Sequence, residues 1–251
     1  MIAWRLVERH ARVYRRDWLV LMSGFVEPVL YLFTIGIGVG AMVPGVQVGG
    51  RTVGYPEFVA SAMVATSAMN GAVMDSTYNL FFRMKYAKLY DMVLATPMTT
   101  GDVAVGETLW STMRSGCYSA VFLVVMAVAG VSRSWWLVAV WLAALLIGLA
   151  FAGVGMWAAT HLRSWQDFEF INVVIVPMTL FSGTFFPVEA LSWPLRWLME
   201  VTPLYRGVVL CRDLSLGEPG WSAWCSVVYL VALGAVGMWF AHRRLAMMLL
   251  R

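Results

Sequence analysis

Charge is scarce in this sequence: Asp, Glu, Lys and Arg make up 13% of the 251 residues, against 61% that are hydrophobic. So few polar side chains cannot clothe a water-soluble globule of this length. Together with a mean hydropathy of +0.74, the shortage places the chain in a membrane. Cysteine and histidine are equally thin, at three residues each. Cys117, Cys211 and Cys225 have no metal-ligand spacing. Cys211 and Cys225 fall on or near the expected outer side, where a disulfide is chemically allowed, but free thiols are the simpler reading. His10, His161 and His242 stand at expected membrane edges, too far apart for an intramembrane metal site. No Gly-Lys pair occurs anywhere, so the phosphate-cradling loop G-x-x-x-x-G-K-[ST] is absent and the chain cannot hydrolyse ATP alone. A G-x-S-x-G nucleophile turn is also missing.

What the chain has is long apolar runs. Six stretches carry no Asp, Glu, Lys or Arg: 28–50, 58–74, 115–132, 134–162, 170–188 and 219–242. A spanning helix needs roughly 20 mainly apolar residues. A β-barrel would need alternating polarity, whereas these runs are apolar all round. The expected fold is therefore all-α, with six transmembrane helices at 19–43, 57–81, 103–130, 135–160, 168–183 and 222–241. The first run is preceded by about 17 polar-rich residues and reads as a retained helix, not a signal peptide. Twelve of the eighteen basic residues, among them Arg83 in the connection between the second and third spans, fall on the side that holds both termini, while Arg212 is among those on the other; the positive-inside rule makes the richer side cytoplasmic. The net charge of +4 is thus a topology signal and not a nucleic-acid footprint.

In residues 2–18, Arg5, Arg9, Arg12 and Arg16 recur at helical spacing opposite Ala3, Val7, Tyr14 and Trp18. This predicts an amphipathic interfacial helix among anionic lipid headgroups, with a simple topogenic basic tail as the alternative. In the inner connection, Met84, Ala87, Tyr90, Val93 and Leu94 recur at i, i+3 and i+4 until Pro97, which predicts a short amphipathic helix over 84–97. A helix resting on headgroups is the alternative reading. Thr99 and Asp102 form a start signal for the next helix. Four ionisable residues lie inside predicted spans and away from their ends. Measured from the inner ends, Glu27 lies ~12 Å deep, Asp75 ~9 Å, Glu107 ~6 Å and Arg114 ~17 Å. Such charges must face one another or water, and Arg114 is the one cation among them; Glu107 could instead snorkel to the interface.

The segments "EPVLYLFTIGIGVG" (27–40), "YDMVLATPM" (90–98), "GETLW" (106–110), "GLAFAGVGM" (148–156) and "PMTLFSGTFFPVEAL" (177–191) occur in the order and spacing of a type-2 ABC exporter permease. The chain resembles the nodulation-factor (lipo-chito-oligosaccharide) export permeases, with daunorubicin-type drug permeases as near relatives. Asp75 stands where the family pattern has Glu.

The resemblance implies one transmembrane domain over 1–251: an interfacial helix (1–18), five spans (19–183), an outer re-entrant helical segment (184–221), then the sixth span and a cytoplasmic tail (222–251). It implies a bacterial plasma membrane, pairing with a second permease copy or a homologous permease, and two copies of a separate ABC ATPase. ATP and Mg would sit on that ATPase, with no cofactor on this chain. Tyr90, Asp91, Val93, Leu94, Ala95, Thr96 and Pro97 would belong to the coupling element. Phe181, Gly183, Phe185, Phe186 and Pro187 would turn the chain back as an outer gate. An outer loop lying flat on the membrane is the alternative for 184–221. The expected activity is ATP-driven export of an amphipathic substrate: a lipo-oligosaccharide, a lipid-linked glycan or a hydrophobic drug. A non-transporting scaffold or a lipid-modifying enzyme is the rival.

Overall fold

A computed structural model describes residues 2–16, 26, 29–43, 45–48, 50–131, 135–188, 191–217 and 219–249. Residues 19–25, 27 and 28 of the predicted first span, Glu27 among them, lie outside the described residues, as do Trp18, Arg133, Glu189 and Arg251.

The helices, in order, are α1 (Ile2–Arg16), α2 (Val29–Gly40, π-wound over Leu32–Ile37), α3 (Tyr55–Met74), α4 (Leu80–Lys85), α5 (Leu89–Leu94) and α6 (Thr100–Val128). After these come α7 (Leu137–Ala159), α8 (Phe168–Leu180), α9 (Trp193–Val201), α10 (Pro203–Ser215) and α11 (Trp221–Leu249). A π-helical segment, Asp75–Asn79, joins α3 to α4. The all-α expectation needs one amendment. Val46–Val48 and Arg51–Val53 form an antiparallel hairpin, paired Val46 with Val53, its turn eased by Gly50 at φ 84°. Alternating valines there fit a pleated surface and are too few to form a helix.

Among the described residues, three helices, α6, α7 and α11, are long and apolar enough to cross a membrane. At the centre stands α3, buried on nearly every side from Phe58 to Val73. Its sequence explains this: alanines at 60, 62, 65, 68 and 72, with Gly71, leave little side-chain bulk, so neighbouring backbones approach closely. Around α3 pack α6, α7 and α10. Polar side chains stitch these helices together: Ser115 Oγ donates to the Ala68 carbonyl at 2.7 Å, and Trp141 Nε1 to the Gly116 carbonyl at 3.0 Å. Thr99 and Asp102 form the expected reciprocal cap at the start of α6, with the Asp102 amide donating to Thr99 Oγ1 at 3.2 Å.

The predicted helix over 84–97 is in fact two pieces. α4 ends at Lys85, and Lys88 takes a left-handed φ of 43° before α5 begins. An apolar period cannot register that break, because the break is a backbone angle and not a change in polarity. α1 forms as expected and is more than a surface float: Leu6, Val7 and His10 are buried, and α1 packs on α6.

Beyond α8 the chain reverses at Gly183, whose φ of 68° suits a residue without a side chain. Pro194 and Pro203 then sit in the first turns of α9 and α10, where the missing amide hydrogen costs no helical bond. α10 is a packed element, with Leu204, Val208, Leu210 and Cys211 buried. All three cysteines are free.

α7 and α11 approach backbone to backbone. An added Cβ would lie 2.9 Å from the Met238 nitrogen at Gly153, and 2.8 Å from the Val154 nitrogen at Gly237. Both obstacles are backbone, so a side chain there must push the helices apart. Gly237→Leu should destabilise the detergent-purified chain by ~1–3 kcal/mol, while Gly38→Ala, with nothing within 4 Å of its Cβ position, should not. Comparative thermal unfolding of the two variants checks this.

Candidate functional site

Where α1, the π-segment, α4, α5 and α6 meet, the interior holds a polar cluster instead of an apolar core. Its first centre is Glu107, 1% exposed on α6. Three donors reach it from three other elements. His10 Nε2 (α1) lies 2.9 Å from Oε1, and since a carboxylate only accepts, that nitrogen carries the proton. Tyr90 Oη (α5) donates to the same oxygen at 2.7 Å, and Arg83 Nη1 (α4) donates to Oε2. Tyr90 is fully enclosed. Burial first, then the Glu107 carboxylate, push its phenol well above the ordinary value, which keeps it a donor.

The second centre is Asp75, fully buried in the π-segment. Its Oδ1 accepts from Asn79 Nδ2 (2.8 Å), Arg114 Nη1 (3.1 Å) and Arg83 Nη2 (3.3 Å), and its Oδ2 from Ser111 Oγ (3.0 Å). The π-winding adds a residue to the turn and gathers Asp75 and Asn79 onto this side. Tyr14 of α1 closes the cluster, accepting from Asn79 Nδ2 at 3.0 Å and Arg114 Nη1 at 2.9 Å. Burial and the nearby Asp75 carboxylate raise its phenol as well. Arg114 Nε donates to Tyr118 Oη at 2.9 Å, and its guanidinium lies 5.0 Å from the Tyr14 ring centre. Arg83 and Arg114 thus balance Asp75 and Glu107, and every formal charge has its counter-charge in contact.

Of the four residues singled out for depth, Asp75, Glu107 and Arg114 come together and Glu27 lies outside the described residues. Arg114, whose partner among the acids the sequence left open, pairs with Asp75. Two expectations are corrected. Arg114 is not the sole cation, because Arg83, assigned by sequence to a polar connection, turns inward from α4 to bridge both acids. Glu107 does not snorkel, since three donors hold it inside. His10, Tyr14, Ser111 and Asn79 were also missed; the i, i+4 step from Asp75 to Asn79 is the one signal that could have flagged any of them.

The coupling residues divide by face. Tyr90 is buried, and Val93 and Leu94 pack half-buried against Leu80, Val103, Met156 and Leu245 at the ends of α4, α6, α7 and α11. Asp91, Ala95, Thr96 and Pro97 are exposed, together with Met92 at 61%. The gate residues cluster at the α8 end. The Phe185 carbonyl accepts from Tyr55 Oη at 3.2 Å, while Phe181 is exposed and Phe186 and Pro187 are half-buried. Arg212, counted by sequence only toward topology, donates through Nη2 to the Gly183 carbonyl at 2.8 Å and lies 3.9 Å above the Phe58 ring. It ties α10 to the turn.

A cleft of about 680 Å³ runs from Arg114 and Tyr118 to Tyr31 and Phe185. Amides and hydroxyls (Thr66, Asn70, Asn172, Thr179) alternate along it with Met63, Ile175 and Val176. Among the described residues, no group of His, Cys, Asp and Glu could hold a metal ion.

The family profile described as ABC-2 type transporter matches residues 3–215, the whole of this arrangement from α1 through α10. The chain belongs to the ABC-2 type transporter family. Nodulation protein J of Neorhizobium galegae is 34% identical over 216 residues, covering 82% of this chain and 81% of that protein. Nodulation protein J of Rhizobium leguminosarum bv. viciae is 33% identical over 223 residues, with 82% of each covered. That of Azorhizobium caulinodans is 26% identical over 217 residues, covering 85% and 84%. This ABC-2 chain is therefore a multi-pass membrane permease related to the nodulation proteins J.

The balanced cluster makes a sharp stability prediction. Arg83→Leu leaves Glu107 without its cation and should cost ~3–5 kcal/mol, whereas Arg83→Leu with Glu107→Leu keeps the Asp75–Arg114 pair and should be markedly milder. Thermal unfolding of both variants decides it; a double variant as unstable as the single one would show that the residues act separately.

Proposed function

We propose that the chain is the membrane subunit of an ATP-driven exporter that moves an amphipathic substrate out of the cytoplasm or inner leaflet. The observation that carries this reading is the bond from Tyr90 on α5 to Glu107. It ties the family's coupling element to a network that ends at Arg114, on the wall of the cleft.

In this reading six spans cross a bacterial plasma membrane with both termini cytoplasmic: a first helix ending in α2, then α3 with α4, α6, α7, α8 and α11. α9 and α10 form the re-entrant outer pair. Two copies of a separate ATPase, carrying ATP and Mg, engage two permease subunits along the exposed edge of α5, at Asp91, Met92, Ala95, Thr96 and Pro97. Because Val93 and Leu94 are packed into helix ends, closure of the ATPases displaces α5 together with α4, α6 and α11. The Tyr90–Glu107–Arg83–Asp75 chain then carries that shift to α3 and Arg114.

The mixed lining of the cleft suits a substrate with polar rings or amides and an apolar tail, which supports a lipo-oligosaccharide, lipid-linked glycan or hydrophobic drug as cargo. Phe181, Gly183, Phe185, Phe186 and Pro187 close its outer end, held through Tyr55 and Arg212.

Charging the docking edge tests the coupling. In inverted vesicles with the cognate ATPase, Ala95→Glu should abolish substrate-stimulated ATP hydrolysis and transport, with membrane insertion and thermal stability unchanged. Normal transport by this variant would remove α5 as the docking element. Leu94→Glu is unsuitable, because Leu94 faces inward and its loss would damage packing. Topology has its own test, in a background lacking the three native cysteines. A cysteine at exposed Arg196 should react with an impermeant thiol reagent from outside, and one at Met199, 1% exposed, should not. Equal labelling of the two, or labelling of 196 from the cytoplasm alone, would refute the re-entrant assignment.

A further inference from the structure

A second cavity, of about 400 Å³, opens between α1, α4 and α5. Its lining is basic and apolar at once: Arg9, His10 and Arg83 against Val13, Phe82 and Met92, and among the described residues no carboxylate lines it. Arg83 and His10 are engaged from behind by Glu107. Arg9 is exposed and has no ion pair among the described residues, so it brings uncompensated positive charge to the entrance. Glu8, its neighbour, lies 3.6 Å from Arg12 on the outer face of the helix. Val13, Phe82 and Met92, each about half exposed or more, form an apolar mouth beside the cations.

A soluble anion would gain nothing from that mouth, whereas a lipid needs both parts. The phosphate of an anionic headgroup can take charge-assisted hydrogen bonds from guanidinium groups while its acyl chains leave along apolar side chains. Basic pockets between helices at the cytoplasmic surface have this chemistry. We infer that the cavity between α1, α4 and α5 binds one anionic phospholipid of the inner leaflet, clamping the amphipathic helix to the coupling element. The leaflet rests on the orientation proposed above; the binding itself does not. A lipid there would touch α1, α4 and α5 together and so fix the position from which α5 moves.

The test uses the full purified chain in detergent, without ATPase or substrate, so its failure leaves the exporter reading intact. Short-chain phosphatidylglycerol should stabilise the protein saturably in thermal unfolding; phosphatidylcholine and glycerol phosphate should not. Arg9→Gln should raise the half-saturating concentration about five- to ten-fold. Arg5→Gln, on the same basic face but outside the cavity, should leave it within about two-fold. Val13→Gln, which alters only the mouth, should weaken phosphatidylglycerol as well. Equal losses at Arg5 and Arg9 would reduce the effect to diffuse attraction between helix and headgroups, and stabilisation by glycerol phosphate would make the ligand a soluble anion. Either result overturns the proposal.

Discussion

A carboxylate in a low-dielectric interior must be neutralised or expelled, and Glu107 is kept inside. The organisation of one whole end of the molecule follows from this. One oxygen is satisfied by His10 and Tyr90, the other by Arg83, so α1, α4 and α5 are each pinned to α6 through one acid. Arg83 also reaches the second acid, Asp75 in the π-segment, and Asp75 in turn engages Arg114. Arginine suits the bridging role because its planar fork serves two carboxylates with separate nitrogens.

Such an arrangement differs in kind from an apolar core. Leucines can slide past one another with small change in energy, whereas breaking one contact of a balanced buried cluster leaves a charge without its partner. A displacement at one member is therefore resisted unless the others follow. For a subunit expected to convert motion at its surface into rearrangement of its helices, this makes the cluster stiff and cooperative. The apolar packing of α3, α6, α7 and α10 supplies the body against which that motion acts. The turn at Gly183, fastened by Arg212, offers a second polar anchor at the far end of the cleft.

Much of this was legible in the sequence. Charge-free runs located the long helices, Thr99 and Asp102 marked the start of α6, and the arginine period marked α1. Gly183 marked the reversal after α8, because a left-handed angle restricts which residues can stand there. The motif order also indicated the family. Depth along a helix identified Asp75, Glu107 and Arg114 as residues that must find partners, since the cost of burying charge is a property of the residue and its position.

Which partners they find was not legible. Arg83 counted as a loop cation, His10 as an edge histidine and Arg212 as a topology marker, because a one-dimensional reading assigns each charge to the segment it occupies. The left-handed Lys88 and the π-turn at Asp75–Asn79 leave no mark in polarity, yet they set the direction of α5 and the register of Asp75. The sequence by itself determined a membrane chain, its helical runs and which charges could not be left alone. Tertiary structure alone decided that Arg83 bridges both acids and that Tyr90 enters from α5. Ion pairs and hydrogen bonds form across space between residues as far apart in the chain as His10 and Glu107, and only the packing of the helices brings such groups within 3 Å.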